Sequence, residues 1–302
     1  MKAHQIHLVD VFAEQPLAGN QLAVVLDAQD IDPRVMQRIA KEMNISETTF
    51  VMPPEDAAHA AKIRIFTPSV ELPFAGHPII GTSWVLYSQG LVPGGASEFT
   101  LESGAGPVTV RGVRGEAGIS FWMTNPKLSL GEIISHRGEI VSAIGLTEAE
   151  LLPQVPIQVA TTGNPMVFAA LRDPRVVDSA VADAGRLAEV FHGRAPLPVL
   201  IYALYGANRL YCRMFAGHVF GIAEDPASGS GAGPLGAIAV KYGLVARSPR
   251  VEIVSEQGTK MGRQSFLHID LAYADDGDIP SRIDVGGYVS PVLVGTLSDF
   301  AG

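Results

Sequence analysis

Cysteine is almost absent from this chain, and basic residues and long apolar runs are scarce. Cys212 is the single cysteine among 302 residues, which excludes an internal disulfide and a cysteine-based zinc site. The 22 Lys and Arg residues are outnumbered by 31 Asp and Glu residues, and a formal net charge of −9 repels a nucleic-acid backbone. The longest uninterrupted apolar stretch, Val199–Tyr205, is far shorter than a membrane span, and the N-terminal MKAHQIHLVD lacks the apolar core of a signal peptide. We therefore expect a cytoplasmic protein that binds neither nucleic acid nor membrane.

The composition favours a large folded core. Hydrophobic residues make up 47% of the chain and charged residues 18%, which is the reverse of the balance found in disordered chains. A chain of this length is expected to form about two domains of roughly 150 residues each.

Three segments have the pattern of helices. Asp32 is placed to cap a helix whose first residue is Pro33, and Asn44 is placed to end it. His77–Tyr87 is apolar nearly all round, which indicates a helix buried on every side. Pro174–Phe191 has a one-sided apolar stripe, including Val181, and is interpreted as one scaffold helix. Strand-like runs separated by Gly- and Pro-rich turns outnumber these helices.

The chain contains an internal repeat. Short strings of the first half recur in the second half at offsets that never shrink along the chain, as a few loop insertions would produce. They are Gly19-Asn20 with Gly163-Asn164 (144 residues apart), Arg64-Ile65-Phe66 with Arg213-Met214-Phe215 (149), Pro73-Phe74-Ala75-Gly76 with Pro226-Ala227-Ser228-Gly229 (153), and Gly90-Leu91-Val92 with Gly243-Leu244-Val245 (153). We infer two homologous halves joined around residues 125–132, each with one apolar central helix.

The repeat also predicts a binding site. A helix inside a curled sheet presents its N-terminus at one end of that sheet, and two facing halves would aim two such N-termini into one cleft. Backbone N–H groups and the positive end of the helix dipole attract carboxylates. The glycines at the two helix starts, Gly76 and Gly229, allow a ligand to approach the backbone closely.

Five strings, in this order, identify a family resemblance: VDVFAEQPLAGNQLAVVL, NISETTFV, IRIFTPSVELPFAGHPIIGT, EDPASGSGAGPLGAIAVKYG and MGRQSFLHI. They resemble the PhzF-like (phenazine biosynthesis) isomerases, which are related to diaminopimelate epimerase and proline racemase. The resemblance implies an α+β, diaminopimelate epimerase-like fold of two pseudo-symmetric domains, each a curled, mostly antiparallel sheet around a central helix. We assign residues 1–125 to the first domain, with strands at about 285–300 completing it, and residues 126–284 to the second. The resemblance also implies a homodimer.

The residues argue for an isomerase rather than a racemase. Related racemases carry a cysteine ahead of each glycine at the helix starts, but these positions are Ala75 and Ser228 here, and Cys212 lies outside both. Alanine is no base and an unassisted serine hydroxyl is far too weak to remove a proton from carbon. Glu47 in SETTF matches the general acid/base of the family. A single carboxylate serves only the face that it touches, which suits a double-bond shift and suits stereochemical inversion poorly.

The resemblance also assigns supporting roles. His77 and Asp225 match positions that line the site and orient the substrate or shuttle protons, and Gly76 and Gly229 match backbone donors to a substrate carboxylate. Ser230 occupies the position equivalent to His77, 153 residues later, and is placed in the substrate site with Ser46, which is expected to contribute a hydrogen bond. From the residues alone, His77 is better explained by helix capping and Asp225 by a turn than by a role in the site.

No metal or cofactor is expected. His4 and His7 point to opposite faces of a strand, and SGSGAGPLG lacks the Gly-Lys-Ser/Thr ending of a phosphate-binding loop. The sequence therefore predicts a cofactor-independent isomerase of a small carboxylate metabolite, in which Glu47 acts in an interdomain cleft. Two alternatives stay open: an amino-acid epimerase that lacks thiols and uses Asp225 or His77 as a second base, and a non-catalytic metabolite-binding protein.

Overall fold

The computed structural model describes residues 3–92, 95, 97–115, 118–220, 222–275 and 277–298. Its strands are β1 His4–Val11, β2 Asn20–Val25, β3 Glu47–Met52, β4 Ala61–Phe66, β5 Glu71–Leu72, β6 Glu98–Ser103, β7 Gly106–Gly115, β8 Gly118–Thr124, β9 Ser129–Ile133, β10 Gln158–Thr161, β11 Met166–Ala170, β12 Val199–Gly206, β13 Arg209–Ala216, β14 Ile222–Asp225, β15 Arg250–Gln257, β16 Ser265–Ala272, β17 Arg282–Gly287 and β18 Val289–Leu297. Its α-helices are α1 Pro33–Met43, α2 Gly76–Ser88, α3 Arg137–Ala143, α4 Pro174–Ser179, α5 Ala184–Val190, α6 Gly217–Phe220 and α7 Gly229–Lys241. Short 3₁₀ turns lie at Ala28–Asp30, Glu148–Glu150 and Thr259–Met261.

The chain divides into two compact units. The first consists of residues 1–124 and 286–302, and the second of residues 125–285. In the first unit β18, near the C-terminus, pairs antiparallel along the whole of β1. Residues 299 and 300, the end of the segment at about 285–300 that was expected to complete the first domain, lie outside the described residues.

Strand pairing follows the same order in both units. In the first unit, β1–β2 is antiparallel, β2–β3 parallel, β3–β4 and β4–β5 antiparallel, β4–β6 parallel and β6–β7 antiparallel. The second unit has the same order of antiparallel and parallel pairings, in β10–β11, β11–β12, β12–β13, β13–β14, β13–β15 and β15–β16. Antiparallel pairs predominate in each sheet, as expected from the sequence, and the repeat read from residue offsets is present in the hydrogen bonding.

A repeated ion pair supports the same equivalence. Arg64 donates two hydrogen bonds of 2.7 Å to the Glu71 carboxylate, and Arg213 donates two of 2.8 Å to Glu224. Each guanidinium also lies over the phenylalanine two residues further along its strand, at 5.2 and 4.9 Å from the ring centroid. Both units thus use the same clamp between the fourth and fifth strands of the repeat.

Each unit has one central helix of 13 residues, α2 or α7, that is buried on nearly every side. The prediction of apolar central helices is therefore confirmed. Small residues allow the sheet to approach α2 closely, because a Cβ atom at Gly81 would lie 2.6 Å from side-chain atoms of both Leu22 and Val11. No helix among the described residues has the length and apolar character needed to cross a membrane.

Helix α1 forms as the sequence predicts. The Asp32 carboxylate accepts a 2.8 Å hydrogen bond from the backbone N–H of Arg34, Pro33 is the first helical residue, and Asn44 ends the helix in the left-handed conformation (φ 50°). Its buried face, which includes Met36 and Ile39, packs in a cluster on the first unit.

The single helix predicted over Pro174–Phe191 is wrong. Two short helices form instead, α4 and α5, and Ala180 between them is extended (φ −62°, ψ 134°). The interruption is stabilised from outside the segment, because Arg213 Nη1 donates to the backbone carbonyls of Val177 and Ala180. Val181, assigned to the core stripe, is 74% exposed.

Candidate active site

Glu47 begins strand β3, directly after the exposed end of α1 and the half-exposed Ser46. Parallel pairing places it opposite Leu22 of β2, and its side chain is only 14% exposed. The carboxylate is therefore held on a sheet strand and is partly shielded from water.

The central helix α2 places His77 beside this carboxylate. It is the second residue of α2 and is buried, with Nε2 3.2 Å from Glu47 Oε2. Its other ring nitrogen, Nδ1, lies 3.4 Å from the side-chain amide nitrogen of Asn20, the first residue of β2. Glu47 and His77, predicted separately from the sequence, are thus in contact.

The environment keeps the His77 ring neutral. Burial lowers the pKa of His77 to about 3, and a hydrogen bond with the backbone of Gln21 acts in the opposite direction without offsetting it. The contact with Glu47 is therefore a close polar contact between a neutral ring and a carboxylate at neutral pH rather than an ion pair. A neutral imidazole adds no positive charge beside the carboxylate that would weaken it as a base.

The first central helix starts without a side-chain cap. Ala75 is the N-cap residue in an extended conformation (φ −153°), and its methyl group offers no acceptor to the first-turn N–H groups. Gly76 and His77 supply the first two of these groups. Backbone donors at a helix N-terminus attract anions, so this end of α2 suits a carboxylate beside Glu47.

The second unit repeats the uncapped helix start with different side chains. Ser228 is the N-cap residue of α7, yet its side chain makes no capping hydrogen bond, and Gly229 and the buried Ser230 begin the helix. The Ser228 hydroxyl donates instead to Asp225 Oδ2 at 2.6 Å. Asp225, the last residue of β14, is half-buried.

The single thiol is chemically inert in this fold. Cys212 is fully buried in β13, 3.2 Å from the Ser255 hydroxyl, and burial raises its pKa to about 12. It therefore stays protonated at neutral pH. No group of three or more His, Cys, Asp or Glu side chains within the described part of the chain is arranged to hold a metal ion.

Sequence reasoning did not assign two buried polar residues near these sites. Asn20 contacts His77. The Gly-Asn pair that recurs in both halves could have indicated it from the sequence. Gln257 hydrogen-bonds both Ser228 and the backbone of Asp225 from β15, and no local pattern distinguishes it from other strand residues.

Comparison with known proteins identifies the family and the fold. A family model described as phenazine biosynthesis-like protein matches residues 9–295. The chain is 34% identical over 265 residues to a trans-2,3-dihydro-3-hydroxyanthranilate isomerase of Pseudomonas fluorescens, covering 87% of this chain and 89% of that protein. A Bacillus anthracis phenazine biosynthesis protein of the PhzF family, 25% identical, superimposes with a TM-score of 0.90 over 99% of this chain and 100% of its own.

A more distant neighbour extends the fold comparison. A hydroxyproline epimerase from Agrobacterium vitis shares the fold at 13% identity, with a TM-score of 0.66 over 98% of this chain and 92% of that one. The predicted fold class, α+β with two similar halves of the epimerase type, is therefore confirmed.

Proposed function

The chain belongs to the phenazine biosynthesis-like family and is an isomerase, and from its site we propose that Glu47 moves a proton between two carbons of a small carboxylate-bearing substrate. The observation that carries this proposal is the contact between the shielded Glu47 carboxylate and the neutral, buried His77 at the start of α2.

His77 and Asn20 support Glu47 as a base. Nδ1 of the His77 ring lies 3.4 Å from the side-chain amide nitrogen of Asn20, and Nε2 lies 3.2 Å from Glu47 Oε2, so the ring is held between Asn20 and the carboxylate. That close contact restricts the orientation of the carboxylate, which accepts a proton from carbon in the proposed reaction. Partial burial removes water that would compete for the same oxygen atoms.

The repeat explains why a single base is favoured over two. Strand β11 is the equivalent of β2 by the offset of 144, so Ala23 corresponds to Val167. Ala23 pairs with Thr48 and Val167 pairs with Val199, which makes Pro198 the equivalent of Glu47. Proline has no side-chain acid or base. The second unit therefore has no side-chain acid or base at the position equivalent to Glu47.

The reaction balances without a cofactor. The Glu47 carboxylate removes a proton from one carbon, the electron pair of the broken C–H bond shifts a double bond along the conjugated system, and Glu47 returns the proton to another carbon. The substrate carboxylate is held by the N–H groups at Gly76 and Gly229, and Asp225 and Ser230 contact its polar groups. Related proteins are named trans-2,3-dihydro-3-hydroxyanthranilate isomerases, so that compound is the first substrate to test.

Solvent-deuterium incorporation tests the proposal. Wild-type protein in D₂O should place deuterium on a new carbon of the substrate, and Glu47→Gln should lower that rate by about 100- to 10,000-fold, the usual contribution of a general base. Glu42→Gln, which removes the same charge from the exposed surface of α1, serves as the matched control and should keep the wild-type rate.

Two results would contradict the proposal. Deuterium at an inverted α-carbon would show an epimerase, in which case Asp225→Asn and His77→Asn identify the second base. A metabolite-binding protein would bind its ligand equally well after Glu47→Gln. It would also incorporate no deuterium into any of a panel of unsaturated amino and hydroxy carboxylates.

A further inference from the structure

A hydrogen-bonded triad stands at the start of α7, formed by the buried Ser228 and Gln257 and the half-buried Asp225. Gln257 Nε2 donates to Ser228 Oγ at 2.9 Å, and Ser228 Oγ donates to Asp225 Oδ2 at 2.6 Å. Ser228 is 4% exposed and Gln257 is 1% exposed. The three side chains thus form a chain of hydrogen bonds that ends on a carboxylate.

The direction of this chain is set by the Gln257 amide. Its nitrogen also donates to the backbone carbonyl of Asp225 at 2.7 Å, and its oxygen accepts from the backbone N–H of Ser228 at 3.2 Å. A flipped amide would place two donors, and two acceptors, against each other. The Ser228 hydroxyl oxygen therefore accepts a hydrogen bond from Gln257, and its own O–H donates to Asp225, which accepts best as an ionised carboxylate.

Helix formation does not require the triad. By the offset of 153, Ser228 corresponds to Ala75 and Asp225 to Leu72, and the first unit builds the same helix start with these apolar residues. A serine at an N-cap position usually accepts a hydrogen bond from a first-turn N–H group. Ser228 makes no such bond, because its hydroxyl is directed to Asp225. The polar chain is thus specific to the unit that carries Asp225.

We propose that Ser228 and Gln257 are positioning residues that hold Asp225 ionised and in one orientation, so that it can accept a hydrogen bond or proton from an amine or hydroxyl group of the substrate. This inference rests on the proposed function, in which Asp225 assists proton transfer by Glu47. It places the assisting groups on strands β14 and β15 and at the N-cap of α7.

Other titratable groups near the triad have partners or are uncharged. Glu224, the neighbour of Asp225, is paired with Arg213. Cys212 lies 3.7 Å from Gln257 Oε1 as a protonated thiol, since burial raises its pKa to about 12. Glu256 accepts hydrogen bonds from the hydroxyls of Tyr205 and Thr259 and from the amide of Gln264.

The proposal is tested by titrating Asp225 directly. Protein labelled with ¹³C at the aspartate side-chain carboxyl is followed by NMR as a function of pH, and the Asp225 signal is assigned by its loss in Asp225→Asn. Removing the hydroxyl in Ser228→Ala should raise the titration midpoint of that signal by about one pH unit, since a hydrogen bond to the charged form is lost. Gln257→Met should shift it in the same direction.

Ser228→Thr is the matched control, because it keeps the hydroxyl group. The titration midpoint of the Asp225 signal should stay at the wild-type value in this variant. Alanine is accepted at the equivalent Ala75, so Ser228→Ala is expected to fold, and Gln257→Met gives a second measurement. In the isomerase assay, the acid limb of kcat/KM should move with the midpoint in Ser228→Ala and not in Ser228→Thr.

The outcomes separate this inference from the proposed function. An unshifted midpoint in both Ser228→Ala and Gln257→Met overturns the inference, and so does full turnover by Asp225→Asn. Full turnover by Glu47→Gln would instead contradict the proposed function, while the titration would still report on the triad.

Discussion

The neutral, buried His77 makes the stability of the first unit depend on pH in a definite direction. Its pKa is lowered from 6.5 to about 3 in the folded chain, so between these values the unfolded chain binds the extra proton. This contribution to stability is fully present above the unfolded value and is lost as pH falls from about 6.5 toward 3. Linkage gives a loss of about 2 kcal/mol between about pH 7.5 and pH 5.

His77→Asn removes the titration while keeping a polar side chain. Both tryptophans, Trp84 and Trp122, lie in the first unit, so urea unfolding followed by tryptophan fluorescence reports on that unit. The wild-type free energy of unfolding should fall by about 2 kcal/mol more than that of His77→Asn over this pH range. His192→Asn, a change at an exposed histidine of the second unit, should follow the wild-type curve.

Two results would refute this reasoning. Parallel curves for wild type and His77→Asn would show that the ring titrates normally in the folded chain. Wild-type stability that rises as pH falls through neutrality would show that the Glu47 carboxylate, 3.2 Å away, outweighs burial and holds the ring as a cation. ¹⁵N NMR of the labelled ring gives an independent reading, because His77 should stay neutral down to about pH 4.

Three further predictions test other parts of the structure. The Cys212 thiol should resist iodoacetamide in the folded protein near pH 8 and react after unfolding in urea; rapid native alkylation would contradict its burial. Gly81→Ala should destabilise the first unit by about 1–3 kcal/mol, measured by tryptophan fluorescence, because the added methyl meets Leu22 and Val11; an unchanged midpoint would contradict that close approach. Hydrogen bonds from two backbone N–H groups and His59 lower the pKa of Glu102 to about 2 and tie the loop after β3 to this carboxylate. Glu102→Gln should therefore speed hydrogen exchange of the amides in that loop. Unchanged exchange would show that these hydrogen bonds are not needed to hold the loop.

Much of the fold was predictable because its signals are local. The start and end of α1 depend on Asp32, Pro33 and Asn44, which act within a few residues of the helix that they bound. The repeat was predictable because equivalent strings keep nearly constant offsets. The segment Pro174–Phe191 was not, because its interruption is stabilised by Arg213, a residue more than thirty positions away along the chain.

The candidate site was likewise only partly predictable from the sequence. Glu47, His77 and Asp225 could be chosen from the family resemblance, but the contact between Glu47 and His77, the neutral state of the His77 ring and the hydrogen bond from Ser228 to Asp225 could not. The predicted roles of all seven site residues, the shared cleft, the homodimer and the cytoplasmic location stay predictions.

The sequence by itself determined that thiol racemisation is absent, that the chain repeats, and that each half has one apolar helix beginning at a glycine. These properties depend only on which residues occur and at what spacing. Tertiary structure alone decided that Asn20 meets His77 across 57 positions and that Gln257 reaches Ser228 across 29. Such contacts depend on strand pairing and on burial, which together set the direction of a hydrogen bond and the charge of a ring in a way that no local pattern encodes.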